Sequence, residues 1–142
     1  MSKISKGNAF QDWIAKWLKK EYPTCVVHNQ KSVARQIKIP GRGAVWVSKR
    51  NDIFGEIDLI KIDSLSKPLF IQATCDAHVE RKEKPLEALP WNLMTCDVEV
   101  WMKRKSGIVR IKRLNTYGQF VTIGKIVRGE WHSTAIDEEE EE

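Results

Sequence analysis

The chain has few of the residues that build the most recognisable sites. Cysteine occurs three times in 142 residues, at Cys25, Cys75 and Cys96, and no two form a CxxC pair. That spacing excludes a disulfide framework and a structural zinc site, and leaves small buried thiols as the expectation. Histidine also occurs only three times. His28, His78 and His132 have no ligand spacing among them. No run approaches the roughly 20 apolar residues of a membrane span, and Met1-Ser-Lys-Ile-Ser-Lys6 lacks the apolar core of a signal peptide. An intracellular, cytoplasmic protein with no membrane partner is expected. No internal repeat interrupts the chain.

What is present is a basic body with an acidic end. The net charge is +5, yet residues 137–142 are six consecutive acids. Without them, residues 1–136 carry 24 basic and 13 acidic side chains, a net of +11. A body that basic suits a polyanion, most commonly nucleic acid. A solvated basic surface is the plainer alternative. The acidic run is expected to be disordered; it either screens the basic face as a nucleic-acid mimic or aids solubility. Hydrophobic residues make up 42% of the chain, enough for one packed domain over 1–136.

Phe10, Trp13, Ile14, Trp17 and Leu18 recur at helical spacing, predicting a helix over 8–21 with one apolar stripe, capped by Ser5 or Asn8 and stopped by Pro23. Strands are predicted at 25–29, 56–62, 68–74, 97–102, 108–114 and 119–127, and a second helix over 78–89. Residues 31–50 are basic, with Pro40-Gly-Arg-Gly43 as a turn and Val45-Trp46-Val47 extended. Loops there would present Lys31, Arg35, Lys38, Arg42, Lys49 and Arg50 to phosphates. Helix, strands, helix, strands describe an α/β sandwich with a mixed sheet and helices on its faces.

The stretch from Asp52 to Lys84 carries the chemistry. Asp58 and Gln72 place one carboxylate and one amide oxygen in two apolar strands joined by a hairpin at 63–67. Magnesium takes oxygen ligands, usually one or two carboxylates plus water, and the Ala73 carbonyl lies beside Gln72. Glu56 is two residues from Asp58, on the same side of a strand, and Asp52 lies close by. Arg81, Lys82 and Lys84 follow with positive charge. Such a set activates water and stabilises a phosphoryl transition state. The structural alternatives are Asp58 capping a turn, Gln72 as a satisfied strand-edge amide, and His78 as a structural histidine. A buried polar group is costly without a task or partner, which favours the site.

Lys6-Gly-Asn-Ala-Phe-Gln11 opening a helix, Gly55-Glu-Ile-Asp58-Leu-Ile60, and Phe70-Ile-Gln72-Ala-Thr74 together resemble the PD-(D/E)XK nuclease superfamily, nearest the archaeal Holliday-junction resolvases and their phage and viral relatives. The resemblance spans about residues 3–105. It implies a restriction-endonuclease-like αβββαβ core and a Mg2+- or Mn2+-dependent endonuclease on duplex or branched DNA, in a family where homodimers are common. Residue by residue, Asp58 falls at the metal-binding aspartate, Gln72 at the second acidic position, Gln11 at a helix glutamate that assists the metal, and Thr74 where a lysine is usual. Arg50-Asn-Asp-Ile-Phe-Gly-Glu-Ile-Asp58, Gln72-Ala-Thr74 and Arg81-x-x-Lys84 are also similar to a pattern in phage and bacterial proteins, and in some branches of the superfamily the lysine moves to the following helix. The expected site is then Asp58, Gln72, Lys82 and Lys84 as catalytic groups, with Glu56 and Gln11 helping to hold metal. Lys6, Lys31, Arg35, Arg42, Lys49, Arg50 and Arg81 would hold DNA. Two alternatives stay open: a catalytically silent relative that binds DNA by shape and charge, and a protein whose basic face docks an acidic partner.

Overall fold

The computed structural model describes residues 3–30, 33–41, 43–49, 57–75 and 79–133. Helix α1 spans Lys3–Glu21. It starts five residues earlier than the apolar stripe predicts, so Ser5 and Asn8 lie inside it rather than at its N-cap. Only Gly7 weakens that first stretch, and one glycine costs a helix only about 1 kcal/mol. The end is as predicted, two residues before Pro23. Residues on a helix advance about 100° each, which puts Trp13 and Gln11 on opposite edges of the stripe. Ile14, Trp17, Leu18 and Phe10 are buried; Trp13 is 37% exposed and stacks on Phe10. The expectation of a core Trp13 is corrected accordingly.

Strands β1 (Val26–Asn29), β4 (Leu59–Asp63), β5 (Ser66–Cys75), β6 (Asp97–Lys103), β7 (Val109–Leu114), β8 (Phe120–Val127) and β9 (Glu130–Ser133) form one seven-stranded sheet in that spatial order. Only β5 and β6 run parallel. Parallel neighbours need a crossover, and helix α2 (Val79–Glu87) lies in that connection. Between β1 and β4 the chain makes a separate two-stranded hairpin, β2 (Val33–Ile39) and β3 (Gly43–Lys49). The Pro40–Gly41 turn was legible. The flanking basic residues are not loop residues as expected: Arg35, Lys38 and Lys49 are on strands, because Val33, Ile37, Ile39, Val45 and Val47 favour extended backbone. Strand β9 was not predicted. It follows Arg128 and Gly129, both at positive φ, the backbone of a two-residue hairpin turn.

Each helix covers one face. Against α1 pack Leu59, Leu69, Ile71, Trp101, Val109, Ile111 and Ile126. Against α2, through Leu86, pack Ile57, Val98, Val100, Met102, Leu114 and Phe120. Covered on both sides, β6 is buried at every position from Val98 to Met102, as central strands are. The result is an α/β fold with a mixed sheet. Cys25 and Cys96 are buried free thiols; Cys75, at the far end of β5, is exposed, against expectation. Burial pushes the Cys96 thiol up, with the Asp97 charge adding to it. Among the described residues, no helix is long and apolar enough to cross a membrane.

Candidate metal centre

Asp58 immediately precedes β4 and is 4% exposed. Its backbone is pinned on both sides: Gln30 N–H donates to its carbonyl at 2.7 Å and its own N–H donates to Ile71 O at 3.0 Å. Its Oδ2 accepts the Ala73 N–H at 2.8 Å. A strand's amide points along the sheet, so the carboxylate lies in the plane of the sheet, between β4 and β5, rather than on either face.

Gln72 is 2% exposed. Its Nε2 donates to the Ala73 carbonyl at 3.1 Å, while its Oε1 is buried without a partner. Side chains alternate along a strand. Leu69, Ile71 and Ala73 pack with the α1 cluster and Phe70 with the α2 cluster, so Gln72 departs toward α2. Gln11 belongs to α1, on the other side. The structure brings Gln72 next to Asp58 through Ala73, and places Gln11 and Gln72 on opposite faces with Asp58 in the plane between them.

Three buried side-chain polar atoms among the described residues have no hydrogen-bond partner: Gln11 Oε1, Asn29 Oδ1 and Gln72 Oε1. All three are amide oxygens, which only accept. Two of them, Gln11 and Asn29, lie close along the fold. Asn29 Nδ2 donates to Asp12, the residue after Gln11, at 3.0 Å; Asn29 pairs with Leu59, the residue after Asp58. Buried polar groups are normally satisfied, and an acceptor with no protein donor is satisfied by water or a cation. Hard cations take this oxygen chemistry, so the residues fit Mg2+ or Mn2+ in kind. No group of three His, Cys, Asp or Glu side chains among the described residues is arranged to hold a metal; the set is one carboxylate plus amides.

Glu56, Lys31, Arg42 and Arg50 lie outside the described residues, as do Asp52 and His78. Lys6 is on α1, Arg35 on β2 and Lys49 on β3. On α2, Val79, Glu83 and Leu86 face the sheet, and half-buried Lys82 shares their side. Arg81 and Lys84 are exposed. Of the two lysines expected to replace the one missing at Thr74, Lys82 is therefore on the sheet-facing side and Lys84 is not. Thr74 makes a local bond, its hydroxyl donating to Cys75 O at 3.4 Å.

Sequence reasoning missed Lys112. Gln72 pairs with Val100 and Val100 with Lys112, so Lys112 rises on the α2 face in the same cross-strand row as Gln72. Two strand spacings, about 9.5 Å, separate their backbones. Its ammonium donates to Glu83 on α2, an ion pair of limited exposure. The signal was the alternation of apolar with basic residues along β7: basic residues on the buried side of a strand are unlike a solvated face.

Comparison with protein-family models, with curated proteins and with solved structures found no match.

Proposed function

We propose that the protein is a divalent-metal-dependent endonuclease acting on DNA, with Asp58 and Gln72 holding the cation and Gln11 contributing from α1. One observation carries this reading: the buried Asp58 carboxylate and Gln72 meet at Ala73, and the buried Oε1 of Gln72, like Gln11 Oε1 and Asn29 Oδ1 nearby in the chain's fold, has no hydrogen-bond partner among the described residues. The element order α1–β1–β4–β5–α2–β6, with the β2–β3 hairpin as an insertion, is in keeping with a restriction-endonuclease-like core. Bound Mg2+ or Mn2+ supplies Lewis acidity toward a phosphodiester. The chain's own residues do the rest. Asp58 and Gln72 would fix the cation's place where the start of β4 meets β5. Lys82 and Lys112 stand on the α2 face to meet phosphate charge. The +11 of residues 1–136 draws in the polyanion, without base readout.

A second reading is favoured by a specific observation. Lys112 is already neutralised by Glu83 and Thr74 is no lysine, the arrangement of a nuclease-like protein that binds branched or duplex DNA without cutting. Labelled four-way junction, duplex and single-stranded DNA, incubated with Mg2+ or Mn2+ and with either the protein or its Asp58→Ala variant, separate the two. Metal-dependent products lost in the variant support the enzyme. Tight, salt-sensitive binding with no product under either metal leaves the binding protein, and no binding to any substrate rejects both.

A further inference from the structure

On the α1 face, away from Asp58, the C-terminal end of α1 and strands β4 to β9 line an open cavity of about 370 Å3. That size falls within the range of about 300–1,000 Å3 usual for small-ligand sites. Its walls are aromatic. Trp17 and Trp101 meet edge to face at 5.7 Å, and Tyr22 and Trp131 line the opening at 44% and 43% exposure. Trp131 is held there by design of the strands beneath it. A Cβ on Gly124 would lie 2.2 Å from its ring, so only glycine lets the indole lie on β8. Trp17 Nε1 donates to Gly129 O at 2.9 Å, tying the β8–β9 turn to the helix.

The polar lining is largely paired within itself. Arg113 binds Glu99 and Lys67 binds Asp97. Lys61 is the exception. It is 6% exposed, lines the cavity, and its ammonium sits 3.9 Å from the centroid of the Tyr22 ring. Among the described residues it has no ion pair or hydrogen bond. A cation over an aromatic face is attracted to it, but a ring does not replace the anion and acceptors a buried ammonium ordinarily finds. An apolar ligand would leave that charge unmet, and a bare anion would leave the aromatic walls unfilled.

We propose that this cavity binds a nucleotide unit, its phosphate on Lys61 and its base stacked on the exposed aromatic rings. Stacking on aromatic side chains beside a basic group is the usual means of holding an unpaired base. Glu21, exposed at the rim, supplies an acceptor for ring N–H groups, and Lys61 is the lining cation left for the phosphate. The site is separate from Asp58 and does not depend on the nuclease reading.

Calorimetric titration of the full chain tests it, with a nucleoside monophosphate, the matching nucleoside, inorganic phosphate, and a short single-stranded oligonucleotide bearing a terminal phosphate. The monophosphate is expected to bind more tightly than nucleoside or phosphate. Lys61→Met, which keeps the buried stem, is expected to weaken it at least about tenfold, the scale of one charge-assisted contact. Trp131→Ala, at an exposed position, is expected to weaken monophosphate and nucleoside alike, and Asp58→Ala neither. Tighter oligonucleotide binding that is also lost in Lys61→Met identifies a strand end as the source; equal binding identifies the free nucleotide. Absence of monophosphate binding at millimolar concentration, or binding unchanged in folded Lys61→Met, overturns the proposal.

Discussion

Asp58 and Glu99 are both buried carboxylates on neighbouring parts of one sheet, 4% and 3% exposed, and their surroundings differ. Both oxygens of Glu99 are met by donors: Trp101 Nε1 on Oε1 at 2.9 Å, and Arg113 Nε and Nη2 on Oε2 at 2.9 and 2.6 Å. Burial alone lowers the Arg113 pKa, and the Glu99 charge and hydrogen bonds more than reverse that, leaving it raised. Asp58 Oδ2 accepts the Ala73 N–H at 2.8 Å, and next along β5 the Oε1 of Gln72 is buried without a partner among the described residues. A buried acid that brings its own cation is a structural element. Under the proposed function, a buried acid beside an unsatisfied amide oxygen takes its cation from outside. Burial does not distinguish the two; the sign of the unmet hydrogen-bonding need does.

The comparison breaks most sharply under deletion. Asp58→Ala is expected to lower metal-dependent DNA cleavage by at least about 10³-fold, roughly 4 kcal/mol of transition-state stabilisation, with the chain still folded by circular dichroism. Cleavage surviving in that variant would assign the chemistry elsewhere. Glu99→Ala is expected to act on stability instead, by about 3 kcal/mol in urea denaturation at unchanged slope. The penalty stays at that level because the Arg113 side chain is 43% exposed and regains water, while Trp101 Nε1 does not. Per-enzyme cleavage in the folded Glu99→Ala fraction should be unchanged.

Ligand linkage sharpens the contrast further. Mg2+ at about 100 times its dissociation constant is expected to stabilise the wild-type chain by about 2.7 kcal/mol, read as a rise in the thermal midpoint. Asp58→Ala should lose the rise and Glu99→Ala should keep it. An equal rise in both variants would mean that the metal stabilises through general charge effects.

How much of this was legible depended on whether a residue's partner lay close by in sequence. The α1 stripe, the β4–β5 hairpin and the strands from β6 to β8 follow local periodicity, and the chain folds as that periodicity predicts. Asp58 and Gln72 stood out because each interrupts an apolar run. Glu99 did not, although it is equally buried; its partner Arg113 is 14 residues away, and the pairing is set by the β6–β7 register. Lys112 was hidden for the same reason. Strand β9 was missed because its turn uses Arg128 at positive φ, a conformation most residues avoid, and because its burial pattern is exposed throughout. The opposite facings of Gln11 and Gln72 follow from which cluster each neighbour joins, which is a tertiary fact.

The smallest effect tests the orphaned oxygens themselves. Gln72→Leu replaces a buried, unmatched acceptor by an apolar side chain of similar size. In metal-free buffer that is expected to be stabilising by about 1 kcal/mol, because a desolvated acceptor without a donor is a cost that the leucine removes. The bond from Nε2 to the Ala73 carbonyl is also lost, which keeps the gain from being larger. With Mg2+ the sign should reverse, since the variant forfeits a ligand oxygen and part of the metal-linked stabilisation. Gln72→Glu should do the opposite on both counts. A second carboxylate next to Asp58 is destabilising without metal through like-charge repulsion, and strengthens binding of a hard divalent cation when metal is present. Parallel unfolding curves for the three chains, with and without Mg2+, read both signs. If the Leu and Glu variants keep the same order under both conditions, Gln72 Oε1 is an ordinary buried amide oxygen and the contrast with Glu99 rests on Asp58 alone.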